Sequence, residues 1–157
     1  MSCPTTQNLD LDQEPSGWEF LYDDFMSGKP LFVLVSSGEH EKLHMAAMLA
    51  SVAAVSDRPV ELFVSMNAIF AFAKDIEPQQ RYRGGAFSKL LLEKGAPDTL
   101  QLLQQGRALG QLKIHACSMA LDLLGWTVDN LVTDLFDGDL GLTKFLADAE
   151  AGDLVTF

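Results

Sequence analysis

The sequence predicts an open three-layer α/β sandwich on a mostly parallel sheet of about five strands. From Pro30 to Phe157, apolar runs of strand length alternate with longer stretches of helical composition. Such alternation implies parallel pairing through right-handed crossovers. The first run, Pro30-Leu-Phe-Val-Leu-Val-Ser36, is apolar without interruption, which suits a strand buried on both faces. Size agrees: 157 residues, 48% of them hydrophobic, bury roughly two thirds of the unfolded surface in one domain without disulfide or metal.

Residues 1–28 form the first of two segments. Up to Glu14 the composition offers too little apolar surface to offset the entropy of ordering, which predicts a mobile acidic tail. Trp18, Leu21, Tyr22 and Phe25 then recur at helical spacing, and Gly28 ends the short amphipathic helix they define. The α/β domain proper spans 29–157. After the first strand, Glu39 to Val55 is rich in alanine and methionine and reads as a helix packed on the sheet. Val60 to Met66 is the second strand and Ala68 to Lys74 a short helix. Asp75 to Ala96, with Gly84 and Gly85, reads as a loop. Pro97 and Asp98 open a helix that Gly110 closes. Gln111 to Ala116 is the third strand, followed by a helix from Cys117 to Leu124 that stops at Gly125. A strand at Val132 to Phe136, a helix at Leu142 to Ala149 and a last strand at Leu154 to Phe157 complete the order.

The net charge of −11 is unevenly distributed: residues 1–28 carry −6, residues 29–126 carry +1 and residues 127–157 carry −6. Acidic ends repel phosphate backbones and anionic lipid, which argues against nucleic acid or a membrane as partner. The longest apolar stretch, Ala46 to Val55, falls far short of the roughly 20 residues of a membrane span, and no apolar leader follows Met1. With only Cys3 and Cys117, cysteine usage is that of a reducing compartment, so the expected location is the cytoplasm.

Cys117 is the first candidate for chemistry. A thiol that follows a strand and opens a helix faces free backbone N–H groups and the positive end of the helix dipole, which favour the thiolate. The alternative is an inert buried cysteine. Ala116-Cys117-Ser118-Met119, followed by Asp122, Gly125, Val128, Asp129 and Leu131, resembles the cysteine segment of the DsrE/DsrF-like sulfur-relay family, also labelled predicted peroxiredoxins. Element order from Pro30 to Phe157 resembles that family as well. The resemblance implies a flavodoxin-like sheet, a homo-oligomer, and a cysteine that takes sulfane sulfur from a donor as a persulfide and passes it to an acceptor protein without a cofactor. Carried over residue by residue, the resemblance implies that role for Cys117 alone; some relatives have a second cysteine in the first helix, which here holds none, and Cys3 lies in a tail that most of them lack.

His40-Glu41-Lys42-Leu43-His44 matches the H-E-x-x-H pattern in which two histidines one turn apart hold zinc and the glutamate acts as base, with His115 as a third ligand. A metal-dependent hydrolase is therefore one alternative function, although first-turn residues after a strand read more simply as solvated. A non-catalytic oligomeric binding module with a structural cysteine is the other. Ser36-Ser37-Gly38-Glu39 occupies a phosphate-loop position, but Glu39 places negative charge where an anion would sit. Arg81 and Arg83, with Lys89 and Lys94 in the same glycine-containing segment, are candidates to collect an anionic sulfur donor, and Ser118 adjoins the thiol. Met45, Met48, Met66 and Met119 read as core filler.

Overall fold

The computed structural model describes residues 28–157, so the tail and amphipathic helix expected before Gly28 lie outside the described residues. Five strands, β1 (Leu31–Val35), β2 (Val60–Val64), β3 (Leu112–Cys117), β4 (Gly138–Leu140) and β5 (Asp153–Thr156), form one parallel sheet in the order β4-β3-β2-β1-β5. In space this is the flavodoxin-like layout, with the first strand second from one edge. Here the strand outside it comes last in sequence instead of second. The helices are α1 (His40–Val55), α2 (Pro78–Arg81), α3 (Ala86–Glu93), α4 (Thr99–Leu109), α5 (Ser118–Leu124) and α6 (Leu142–Ala149).

Steps from β1 through β4 run one way across the sheet, and the return to β5 runs back. Right-handed crossovers therefore put α1 and α4 on one face and α6 on the other. On the α6 face, the Phe145 ring stacks on Phe63 at 4.8 Å and meets Phe32 edge-on at 5.7 Å. On the opposite face, α1 buries Ala46, Ala47, Ala50 and Ala54, whose small side chains let the helix lie close to the sheet. Ser51 Oγ donates to Leu102 O of α4 at 2.6 Å. At the end of α4 only glycine fits, since a Cβ on Gly110 would stand 2.2 Å from Ala54 O. Val33, Val64, Ile114 and Ala116 are fully buried between the layers, and each large aliphatic so placed stabilises the fold by roughly 1.5–3 kcal/mol.

Four sequence expectations need correction. The segment expected as a loop from Asp75 to Ala96 contains α2 and α3. No local side chain caps α3; Glu41 of α1 does so from across the fold, accepting from Gly85 N–H at 2.8 Å and Ser88 N–H at 3.0 Å. The helix expected at Ala68 to Lys74 is a 3₁₀-helix, Met66–Phe72. Val132 to Phe136 is not a strand: Asp134 has φ 60, and Leu131 and Leu135 enter the core from a turn. The fourth strand instead follows Asp137, whose backbone N–H donates to Ile114 O at 2.8 Å while its carboxylate accepts from Ile114 N–H at 2.7 Å. Finally, Met45, Met48, Met66 and Met119 are exposed instead of filling the core. On α1 the reason is geometric, because alanine, leucine and histidine occupy its inward face and leave Met45, Met48, Val52 and Val55 on the outer one. Among the described residues no helix is long and apolar enough to cross a membrane.

Candidate functional site

Cys117 is the last residue of β3 and the N-cap of α5, with φ −66 and ψ 116. It therefore lies at the carboxyl edge of the sheet, where ligands of parallel α/β proteins gather. Its side chain is 3% exposed and belongs to the core with Ala116, Ala120 and Leu121. Ser118, half-buried, faces the start of α6 near Gly141. α5 closes at Gly125, whose φ of 65 lets Trp126 N–H reach Leu121 O at 2.9 Å. Met119 and Leu123 on α5 are exposed, as are Met66 and Phe70 of the neighbouring 3₁₀-helix. Met66 holds φ 49, uncommon for a residue with a side chain.

Beyond the ends of β1 and β2 lies a crevice of about 570 Å³, lined by Ser37, Gly38, Glu39, Asn67, Phe70 and Arg83, with Arg83 bridged to Glu39 through the backbone. Arg81 and Arg83 both line it, so the structure brings the two arginines together, whereas Cys117 and Ser118 do not line it. The Arg81 guanidinium is already committed to main-chain carbonyls. Its Nη1 donates to Ala71 O at 2.7 Å and Ala73 O at 3.0 Å, and its Nη2 to Ile76 O at 3.0 Å. Arg81 thus fastens α2 to the 3₁₀-helix, while Arg83 is exposed.

The H-E-x-x-H residues are not solvated first-turn groups. His40 is 2% and His44 8% exposed, because Tyr82 and α4 cover that turn. The His40 ring stacks on Tyr82 at 4.1 Å, meets His44 edge-on at 5.8 Å, and has Nδ1 2.7 Å from Ser88 Oγ. Burial holds both imidazoles below the ordinary histidine pKa, and their mutual repulsion lowers His40 further. Glu41 faces α3, and backbone N–H groups, its own first and then those of Gly85 and Ser88, hold its carboxyl below the usual range. His115 pairs in register with Phe63, which places it on the α6 face, across the sheet from α1. Among the described residues no three His, Cys, Asp or Glu side chains are grouped to hold a metal ion.

Sequence reasoning did not pick out Tyr82, Ser88 and Thr99 around these histidines. Asp98 was legible as a helix start, and it does cap α4, accepting from Leu100 N–H at 3.0 Å. Tyr82 and Ser88 had no local signal, since each meets His40 only through the tertiary fold, and Thr99 is simply the first residue of α4.

No protein-family model matches the chain, and no curated protein matches it. In fold it is similar to a protein of unknown function, MTH1491, from Methanobacterium thermoautotrophicum. The match has a TM-score of 0.53 and 13% sequence identity, and covers 83% of this chain and 100% of that one.

Proposed function

We propose that this chain is a cytoplasmic sulfur carrier of the DsrE/DsrF-like kind, with Cys117 holding sulfane sulfur as a persulfide. The observation that carries the reading is the position of Cys117, closing an inner strand at the carboxyl edge and preceding the first free N–H groups of α5. With thiosulfate as donor, the Cys117 thiolate attacks the outer sulfur, a new S–S bond forms, and sulfite leaves with the electron pair of the broken bond. A partner thiolate then attacks the outer sulfur of the persulfide and releases the Cys117 thiolate. Electrons balance in both steps, and no cofactor is required. Arg83, exposed on the same edge, suits an anionic donor. The exposed Met66, Phe70, Met119 and Leu123 suit an acceptor protein. Self-association belongs to the same proposal, supported by the outward apolar stripe of α1.

The 3% exposure of Cys117 favours a second reading, an oligomeric binding module whose cysteine is structural. One experiment separates the two. The protein is incubated with thiosulfate or a polysulfide and its intact mass recorded. A carrier gains about one sulfur, roughly 32 Da, reversibly by reductant, in the wild type and in Cys3→Ala but not in Cys117→Ala. No gain with any donor in folded protein, or a gain mapping to Cys3, leaves the binding module in its place.

A further inference from the structure

α3 is fastened to α1 mainly by hydrogen bonds. Of its side chains only Ser88 is buried, while Phe87, Leu90 and Leu92 are exposed. Its anchors are the Glu41 carboxylate, which accepts from the N–H groups of Gly85 and Ser88, and Ser88 Oγ, 2.7 Å from His40 Nδ1. Glycines stand at both ends: Gly84 has no room for a Cβ beside Ser88 and Glu41, and Gly95 takes φ 63. A helix that buries so little apolar surface opens locally at a smaller cost than the whole fold.

What α3 helps to cover is the histidine pair, completing the cover that Tyr82 and α4 begin. His40 and His44 of α1, Leu91 and Leu92 of α3, and Asp98 and Leu100 at the start of α4 all line one cavity of about 380 Å³. The closed arrangement suits neutral rings. Ser88 Oγ can accept from a protonated His40, but His44 Nδ1 is buried without a partner among the described residues, so a protonated His44 would carry an unsatisfied N–H. The rings also meet edge-on at 5.8 Å, where two cations repel. The ionisable groups facing the pair are Glu41 on α1, Asp98 at the start of α4, and Arg81 and Tyr82 ahead of α3; α3 brings Leu91, Leu92 and Ser88. Burial, and then repulsion between the rings, outweighs the pull of Glu41 and Asp98 on a proton at His40, and burial outweighs that of Asp98 at His44.

We propose that α3 is an acid-released clasp: as His40 and His44 take up protons, it swings off α1 and α4 about Gly84, Gly85 and Gly95 and opens the cavity to water, while the sheet and its other helices stay folded. Released, the imidazoles return to their ordinary pKa of 6.5. The closed form binds fewer protons, so its advantage is complete above that pH and declines as pH falls below it. Between pH 7.5 and 5.5 the ratio of open to closed rises by up to about tenfold for each histidine, or about a hundredfold for the pair.

Amide hydrogen exchange on the ¹⁵N-labelled full chain reads the opening, with each rate taken relative to an unstructured chain at the same pH. The amides of Leu90 to Lys94 should lose protection by about ten- to a hundredfold from pH 7.5 to 5.5. At both pH values their exchange should not respond to low urea, as for a local opening, while the amides of β2 speed up with urea as those of a core do. His44→Gln should reduce the pH effect to about tenfold, and His40→Gln added to it should abolish the effect. The proposal is overturned if α3 is equally protected at both pH values, if its exchange rises with urea in step with β2, or if the double variant, still folded by circular dichroism, keeps the wild-type response. Should the double variant not fold, the pH and urea series on the wild type still decide between a clasp and whole-chain unfolding.

Discussion

Replacing Tyr82 by phenylalanine should stabilise the protein. The substitution removes one oxygen and keeps the ring that stacks on His40 at 4.1 Å. That oxygen is buried against Asp98 and Thr99 and makes no well-formed hydrogen bond among the described residues. Leaving a buried polar group unsatisfied costs about 1–3 kcal/mol, so its removal should recover about 1–2 kcal/mol, allowing for partial relaxation. For a domain of this size the gain corresponds to a rise in melting temperature of roughly 3–8 °C. Scanning calorimetry at neutral pH, with urea unfolding as a second measure, reads the change. Burial pushes the Tyr82 phenol well above its ordinary pKa, with Asp98 adding to the shift, so ionisation does not contribute at that pH. A loss of more than about 1 kcal/mol would show that the hydroxyl is hydrogen-bonded and would refute the reasoning.

Stability should fall as pH drops below the ordinary histidine pKa of 6.5, since burial depresses both His40 and His44 in the fold while unfolded histidines take up protons. Urea midpoints at pH 7.5 and 5.5 test this, and equal midpoints would contradict it. The Asp137 carboxyl, which burial raises but Arg107 and Ile114 N–H lower further, adds a second loss at more acidic pH as the folded form itself protonates. Phe145→Ala should cost about 3–5 kcal/mol by opening a cavity against Phe32 and Phe63; a loss under about 1 kcal/mol in urea unfolding would mean that α6 does not anchor that face. Light scattering should return a mass above the 17.2 kDa of one chain. Val52→Glu, placing charge on the outward stripe of α1, should lower that mass, and a monomeric wild type would end the proposal of self-association.

The layered fold was legible because it follows from local pattern. The uninterrupted apolar run of β1 and the alanine-rich length of α1 announce a buried strand and a covering helix wherever they occur. What was not legible depends on distant partners. Ala86 to Glu93 lacks its own cap and borrows one from Glu41. Gly138 and Asp139 have little strand propensity and pair with β3 next to the clasp between Asp137 and Ile114. The histidine pair illustrates the same division. Its spacing was visible in the sequence, but its burial depends on Tyr82 and on α4, which only the tertiary fold brings there. Cys117 was placed correctly at a strand-to-helix junction, yet its near-complete burial comes from elements on both sides of it.

The late arrival of β5 has a kinetic consequence. One edge of β1 is completed only when the chain returns from across the sheet, and Ser36, just past β1, then donates its N–H to Phe157 O, 121 residues away. Closing so long a loop is slow relative to local pairing. During synthesis, β1 to β3 can therefore assemble with α1 and α4 while the outer edge of β1, with Phe32 and Val33, stays unpaired. That interval is when the nascent chain is most exposed to strand addition by another copy, and a chaperone that shields this one edge would protect most of the folding route.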